Sequence, residues 1–510
     1  MNGRARVLLA VVVAFDVALW AAGGPIPSET FAWFRIQDRM GPAGFVGAAA
    51  AGLVGVLVAT RARGRVQGLG LAAITFLSLA ASAGAPQAQV DALEWFTRAQ
   101  TLARGDWPPW LGGGGGLRMP GMPLVDALAF RLLGESEATV AGVRVGWLLL
   151  LVAATALGAG RDRRGAMLAV AVVATTPLLA AQGAWMLADL PLAALLACAW
   201  AAARRGAPLA RVLAVAALAF AVKPAAALWV LCTLPAMLPR RRAIPLAAGA
   251  ALLVVAALAA GQLHPRLRPL PLDAQAAAAV LLALRAPLLV GAGWLAFRAR
   301  PAEPAGLAAP VDRLPRLVGG ALLALAGIVT FAPPAHAARY ALPAVVPLAW
   351  LLAEQARGPA GWLIGSGLVL TLRAFVPLAT GSQAGNVREA VQALEAAGAD
   401  GIEVVADTPG GALPVAALAA LVDLTATVPV VAGAQVRLAE PGDRPRWYHN
   451  YPLAPWHRAG PTAPNAILVL CTPGADCAPP SDAGPEIVDT RRWHGTSLDL
   501  PTRARGFLRR

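Results

Sequence analysis

The chain has 510 residues, of which 58% are hydrophobic and only 14% are charged. Soluble globular proteins carry about 25% charged residues, so this balance argues against an ordinary soluble enzyme and indicates a protein embedded in lipid. The net charge of +15 would suit a nucleic-acid partner, but the arginines stand in short clusters between apolar blocks. That is the positive-inside pattern of membrane proteins, and we expect no nucleic-acid partner. The main clusters lie at residues 61–65, 161–164, 204–205, 240–242 and 298–300.

Along the chain, the apolar blocks predict about thirteen spans, since a bilayer core takes roughly 20 apolar residues per helix. They lie at 7–22, 43–60, 68–85, 140–159, 166–182, 187–203, 209–222, 225–238, 243–260, 275–297, 317–332, 340–354 and 361–379. The first is expected to be an uncleaved span rather than a signal peptide, because Asp16 interrupts it. Placing the arginine clusters in the cytoplasm puts the N-terminus inside and the C-terminus outside.

A long polar segment at residues 86–139 interrupts the spans and is expected to be an outer loop. It contains Asp91 and Glu94, which share one face if this part of the loop is helical. The pair suits a general base with a supporting carboxylate, or a site for a divalent cation such as Mg²⁺ or Mn²⁺. Two solvated loop acids are the alternative, and Glu135 and Glu137 are expected to be solvated acids.

Three further polar residues fall at predicted outer ends of spans. Lys223 is the only lysine of the chain, and a lysine at the end of an apolar helix is either functional or reaches out to the interface. Asp189 opens a span, where it either supports Asp91 or caps a helix. Arg339 precedes Tyr340 and is either a ligand contact or a helix-end anchor.

Residues 382–510 form a polar tail that predicts a small extracytoplasmic α/β domain after a membrane domain at residues 1–381. Residues 387–397 have helical spacing, and residues 401–406 and 466–471 have the composition of buried strands. Cys471 and Cys477 bracket a turn-rich segment. Both a small disulfide and two free thiols are consistent with the sequence.

Several ordered motifs together resemble the GT-C glycosyltransferases, which include protein O-mannosyltransferases and the bacterial aminoarabinose transferase. The motifs are Asp91 with Trp95, Gly105-Asp106-Trp107, Pro120-Gly-Met-Pro123-Leu, Gly134 to Arg144, Ala188-Asp189-Leu-Pro191, Val222-Lys223-Pro224 and Ala338-Arg339-Tyr340. The resemblance covers roughly residues 85–355 and implies a mainly α-helical, polytopic GT-C bundle. It departs from the family at Arg118-Met119, where a lysine or histidine is usual, and in having more than one predicted span before the loop, where one is usual.

By this resemblance, the protein transfers a sugar from a polyprenyl-phosphate donor to an extracytoplasmic acceptor, which is a lipid, a glycan or a protein. Asp91 is then the general base, with Glu94 and Asp189 in support. The donor phosphate would meet positive charge from Arg118, Lys223 and Arg339, beside Tyr340. The expected location is the inner (plasma) membrane, with the tail in the periplasm.

Two other classes of function remain open from the sequence. A transporter or flippase of lipid-linked sugars would carry charges at mid-bilayer and related halves, and the sequence shows no repeat. A structural membrane protein would tolerate the loss of Asp91. No metal motif with convincing ligand spacing occurs, so a cation at Asp91 and Glu94 is the one metal site considered.

Overall fold

In a computed structural model, the structure describes residues 65–82, 90–105, 119–160, 163–184, 187–238, 240–259, 313–331, 340–355, 385–407, 422, 425–432, 463–471, 477–492 and 502–509. The predicted spans at 7–22, 43–60, 275–297 and 361–379 lie outside these residues, as do Arg118 and Arg339.

The described part is mainly α-helical with one small sheet. Its helices are α1 (Arg65–Ser82), α2 (Val90–Arg104), α3 (Gly121–Leu133), α4 (Glu137–Gly158), α5 (Arg163–Ala174), α6 (Pro177–Ala184), α7 (Asp189–Arg204), α8 (Leu209–Val222), α9 (Ala226–Met237), α10 (Arg240–Ala259), α11 (Arg313–Phe331), α12 (Leu342–Gln355) and α13 (Gly385–Ala396). The strands are β1 (Ile402–Asp407), β2 (Val430–Ala432), β3 (Ala466–Cys471), β4 (Ala483–Arg492) and β5 (Thr502–Arg509).

The chain divides into two compact units. One comprises residues 1–84, 145–184 and 188–376, and the other comprises residues 85–144, 185–187 and 377–510. The first is a helical bundle, and the second contains α2, α3, α13 and the sheet. The predicted domain boundary at residue 382 stays a prediction.

Helices α7 and α12 form the interior of the bundle. Apart from polar residues in their first or last turns, their side chains are apolar on every side and almost all buried, so neither helix has a polar face along its length. Helix α7 packs against α8, α9 and α12, and α12 packs in addition against α5 and α11.

Buried tryptophans tie these helices together through hydrogen bonds. Trp200 Nε1 donates to Thr233 Oγ1 at 2.8 Å, and Trp350 Nε1 donates to the carbonyl oxygen of Thr155 at 2.8 Å. An indole N–H left without an acceptor in an apolar interior would lose about 1–3 kcal/mol, so each bond fixes how two helices meet.

The predicted span at 166–182 is divided into two helices in the structure, α5 and α6. The break lies at Thr175 and Thr176, whose hydroxyls donate to the carbonyl oxygens of Ala171 (2.7 Å) and Val172 (2.8 Å). Pro177 begins the next helix, because proline lacks the N–H that would continue the ladder but suits the first helical turn.

Among the described residues, α4 is the one helix that is long and apolar enough to cross a membrane by length and composition. Six further apolar helices have 10–17 residues. The count of about thirteen spans therefore stays a prediction.

The second unit contains a five-stranded sheet in the order β2-β1-β3-β5-β4. Strands β1, β2 and β3 run parallel, and β5 pairs antiparallel with β3 and β4. Helix α13 packs on β4 and β5. The predicted helix at 387–397 and the predicted strands at 401–406 and 466–471 are thus confirmed as α13, β1 and β3.

A disulfide joins Cys471 at the end of β3 to Cys477, which settles a question the sequence left open. Both half-cystines are completely buried and pack in a small apolar core with Ile467, Val469 and Phe507. The other two cysteines, Cys198 and Cys232, are free thiols in α7 and α9.

Candidate active site

A break between α8 and α9 positions the single lysine of the chain. Lys223 is the C-terminal cap of α8, with an extended backbone (φ −153°, ψ 125°), and its N–H donates to the carbonyl oxygen of Ala219 at 3.0 Å. The helix ends here because Pro224 disfavours helical geometry at the residue before it. The lysine side chain is therefore held at a fixed point between two apolar helices.

The ammonium group of Lys223 pairs with the carboxylate that opens α7. Lys223 Nζ lies 2.5 Å from Asp189 Oδ1, and the Asp189 side chain is 3% exposed. Asp189 stands in the first turn of α7 while Ala188 holds the N-cap position, and the positive end of the helix dipole favours a carboxylate there. A buried carboxylate needs such a partner, because an isolated buried charge is very costly.

The ring of Tyr340 covers the same ammonium group. Lys223 Nζ lies 4.3 Å from the centre of the Tyr340 ring, a distance at which the negative face of the ring attracts a cation. Tyr340 stands two residues before α12. Three separate elements therefore converge on one ammonium, which is part-buried.

This geometry is suited to binding an oxyanion. A lysine ammonium has three N–H donors, and among the described residues Asp189 is the one hydrogen-bond acceptor paired with Lys223. The remaining donors can meet phosphate oxygens in charge-assisted hydrogen bonds, while Asp189 and Tyr340 restrict where the ammonium lies.

The other predicted site residues are only partly covered by the structure. Asp91 and Glu94 lie three residues apart in α2, as the sequence predicted for a helical segment, while their side chains lie outside the described part. Arg118 and Arg339 lie outside it entirely. Within the described residues, no group of three or more metal-binding side chains occurs.

Two acids that were expected to be solvated are instead paired in the second unit. Glu135 accepts hydrogen bonds from Arg104 Nη2 at 2.8 Å and from Gln100 Nε2 at 3.3 Å. Glu137 is held by Arg388 of α13, with Nε and Nη2 at 2.7 and 2.6 Å from Oε1. The expectation was wrong because spacing along the chain does not reveal partners that lie 31 and 251 residues away.

Helix α3 contains a buried acid that sequence reasoning missed. Asp126 is 4% exposed, its Oδ2 has no hydrogen-bond partner in the described structure, and burial raises its pKa to about 7. The opposite face of α3 exposes Leu124, Leu128 and Leu132. A signal did exist, since Asp126 stands four residues from both Met122 and Phe130 on one helical stripe.

Comparisons with known proteins were made at the level of sequence and of fold. No protein-family profile matches the sequence, and no curated protein matches it. The crystal structure of ArnT from Cupriavidus metallidurans in the apo state matches with a TM-score of 0.50 and 13% identity, over 86% of this chain and 97% of that one. ArnT bound to undecaprenyl phosphate matches with a TM-score of 0.47 and 12% identity, over 86% and 96%.

The chain has the GT-C fold. ArnT is a GT-C aminoarabinose transferase, so the resemblance inferred from the short motifs is confirmed at the level of fold. Within this GT-C fold, Asp189, Lys223 and Tyr340 are the predicted site residues that the structure brings together. Because one fold supports many chemistries, the reaction has to be argued from the site itself.

Proposed function

We propose that this GT-C protein is a membrane glycosyltransferase that transfers a sugar from a polyprenyl-phosphate donor to a hydroxyl acceptor outside the cytoplasm. The observation that carries the proposal is the cluster of Asp189, Lys223 and Tyr340 at the break between two apolar helices. An apolar helix provides the surroundings that a lipid donor needs, and the ammonium provides the charge that its phosphate needs.

On the donor side, Lys223 binds a phosphate oxygen and stabilises the negative charge that grows as the sugar leaves. Asp189 holds the ammonium in place, and Tyr340 flanks it. Arg118 and Arg339 are proposed to add further positive charge. An ammonium fixed before the reaction stabilises the developing charge better than one that must reorganise during it.

On the acceptor side, Asp91 is proposed to act as the general base and Glu94 to support it, directly or through a divalent cation. The acceptor oxygen forms a bond to the anomeric carbon while the bond from that carbon to the phosphate oxygen breaks. The hydroxyl proton passes to Asp91, and the bonding electrons leave with the polyprenyl phosphate. A phosphate is a good leaving group at neutral pH and needs no separate acid.

The acceptor is proposed to be a lipid, a glycan or a protein in the periplasm, and the protein to be a multi-pass protein of the inner membrane. The disulfide between Cys471 and Cys477 supports an extracytoplasmic tail, because disulfides persist in oxidising compartments. With the N-terminus in the cytoplasm, the break that contains Lys223 is proposed to face the outer side of the membrane.

The proposal is tested with the purified full chain, a panel of polyprenyl-phosphate sugars and a membrane extract as the source of acceptor. We expect Asp91→Asn to lower the transfer rate at least about 100-fold, since a general base contributes roughly 10²–10⁴. Glu389→Gln, at an exposed acid of α13, is the control and should leave the rate unchanged. Undiminished transfer by Asp91→Asn would show that this acid is not the base.

A flippase is separated from a transferase by the product. Reconstituted vesicles would be assayed in parallel for transbilayer movement of the labelled donor and for label that appears on an acceptor. Label on the acceptor that depends on Asp91 supports transfer. Movement without any labelled product would overturn the proposal in favour of transport.

A further inference from the structure

The bundle contains an apolar groove that the proposed chemistry does not use. It has a volume of about 590 Å³ and lies between α8, α9 and α10. Its walls extend from Leu209 to Phe220 on α8 and from Arg242 to Leu253 on α10, and Val230 of α9 lies between them. A groove of this size falls within the usual range of ligand sites, roughly 300–1,000 Å³.

One end of the groove is positively charged. Arg242 is the single charged residue among the groove's lining side chains in the described structure, and it stands in the first turn of α10. Leu209, the first residue of α8, also lines the groove, and Arg211 follows it two residues later. Arg241, Arg242 and Arg211 make no hydrogen bond or ion pair with the described residues. Leu209 and Arg242 both stand in the first turn of their helices, where the helix dipole is positive.

The groove also has the length of a lipid chain. Eleven residues of α8 separate Leu209 from Phe220, which corresponds to about 17 Å along the helix. Apart from Arg242, the lining is made of aliphatic, aromatic and small side chains, which offer no hydrogen-bonding side chain to a sugar or a polar peptide. The groove therefore suits one molecule with a long apolar part and an anionic end.

We propose that this groove binds an anionic phospholipid of the cytoplasmic leaflet. Its phosphate meets Arg242, and an acyl chain lies between α8 and α10. Basic pockets between transmembrane helices on the cytoplasmic side are known to hold anionic head groups. By the positive-inside orientation, the arginines at residues 240–242 lie on that side, whereas Lys223 lies at the opposite end of α8. This lipid is therefore distinct from the sugar donor.

Native mass spectrometry of the full chain tests the head-group contact. The purified protein is titrated with phosphatidylglycerol and, separately, with phosphatidylcholine of the same acyl chains. We expect tighter retention of the anionic lipid, and Arg242→Gln should weaken it about fivefold, the effect of losing one basic contact to an anionic head group. The control is Arg316→Gln, which removes an exposed arginine near the start of α11, outside the groove. It should leave the retention of phosphatidylglycerol unchanged.

A pair of glycines tests the position of the acyl chain. Gly249 lines the groove, and a Cβ atom added there would meet nothing within 4 Å, so we expect Gly249→Leu to occupy part of the groove. Gly319 is equally open but lies on α11 outside the groove. We expect Gly249→Leu to lower lipid retention and Gly319→Leu to leave it unchanged.

Three outcomes would overturn the proposal. Equal retention of phosphatidylglycerol and phosphatidylcholine would mean that the protein carries only non-specific bulk lipid. Retention that Arg242→Gln and Gly249→Leu leave unchanged would place the lipid elsewhere. Displacement of phosphatidylglycerol by undecaprenyl phosphate would assign the groove to the sugar donor. The proposal rests on the orientation of the bundle and not on the transfer reaction, so loss of transfer in Asp91→Asn would not alter these measurements.

Discussion

Lys223 is held by two groups of different chemistry, a carboxylate at 2.5 Å and an aromatic ring at 4.3 Å. The carboxylate of Asp189 is almost completely buried, so each charge of the pair depends on the other. Removing one partner breaks this ion pair, and the two residues should behave as one unit in both stability and activity.

The first prediction is a double-mutant cycle on this pair. Asp189→Asn and Lys223→Met should each destabilise the protein by about 1–3 kcal/mol, because each breaks the charged hydrogen bond between the two side chains. The double variant should lose less than the sum, with a coupling of about 0.5–3 kcal/mol. Thermal unfolding in detergent measures the stability of each variant. In a separate activity assay, the KM for the polyprenyl-phosphate donor should rise in Lys223→Met, because the proposed phosphate contact is lost.

Arg316→Met is the matched control, since it removes an exposed cation that has no hydrogen bond or ion pair among the described residues. If the losses of stability in the two single variants simply added up in the double variant, the ion pair would contribute nothing to stability. If Lys223→Met leaves the KM for the donor unchanged, Lys223 does not bind the donor phosphate.

The second prediction concerns Asp126. Burial raises its pKa from 3.8 to about 7 in the folded protein, so the unfolded chain gives up this proton at lower pH. The resulting penalty to stability is absent below pH 3.8, grows as the pH rises to about 7, and is constant above that. It amounts to no more than about 4 kcal/mol.

Asp126→Asn removes this titration. We expect the variant and the wild type to have similar thermal midpoints near pH 4, and the variant to be the more stable protein at pH 8. Glu389→Gln, at an exposed acid, should follow the wild type at both pH values. A difference between Asp126→Asn and wild type that does not change with pH would contradict the raised pKa.

The sequence could indicate Lys223, Asp189 and Tyr340 separately, because each stands at the end of an apolar block, where polar residues are unexpected. It could not indicate that they meet, since their contacts join residues 34 and 117 positions apart and depend on how α7, α8 and α12 pack. Asp126 was missed for a related reason: an acid in a predicted outer loop is expected to be solvated.

At the scale of elements, the packing of α9 against α11 depends on a glycine. A Cβ atom at Gly320 would overlap the backbone carbonyl of Cys232, which cannot move aside as a flexible side chain can. Gly320→Ala should therefore destabilise the bundle by about 1–3 kcal/mol through overpacking. Thermal unfolding of the purified variant measures the loss.

Gly319 provides the internal control for this prediction. It precedes Gly320 in α11, and an added Cβ there would meet nothing within 4 Å. Gly319→Ala should keep or slightly raise the thermal midpoint, because alanine favours the helix by up to about 1 kcal/mol. If Gly319→Ala and Gly320→Ala changed the thermal midpoint equally, helix propensity and not packing would determine the effect at Gly320.

The described helices of the bundle follow the apolar blocks of the sequence closely, because burial of apolar surface is a local property that hydropathy records. Details that depend on single hydrogen bonds were not predicted. The break at Thr175 and Thr176 is one example, since threonine is compatible with a helix until its hydroxyl and the following proline compete with the backbone. The order of the five strands is another, because strand pairing joins distant residues.

At the scale of the whole molecule, the arginine clusters and the disulfide are independent indicators of orientation. By the positive-inside rule, the clusters predict that the loops at residues 204–205 and 240–242 lie in the cytoplasm. The disulfide between Cys471 and Cys477 is consistent with the proposed extracytoplasmic tail, because disulfides persist in oxidising compartments. The proposed function requires an outward-facing tail and cytoplasmic arginine loops, because donor phosphate and acceptor must meet outside.

The last prediction tests this orientation with two engineered cysteines. Glu389→Cys lies on an exposed position of α13, and Arg241→Cys lies on an exposed position at the start of α10. In intact spheroplasts, a membrane-impermeant maleimide should label Glu389→Cys well above the wild-type background and should label Arg241→Cys only after lysis. The reverse pattern would place the tail in the cytoplasm and remove the support for Asp91, Lys223 and a periplasmic acceptor together. Labelling of both before lysis would mean that these two positions lie on the same side of the membrane, against the path of the chain proposed here.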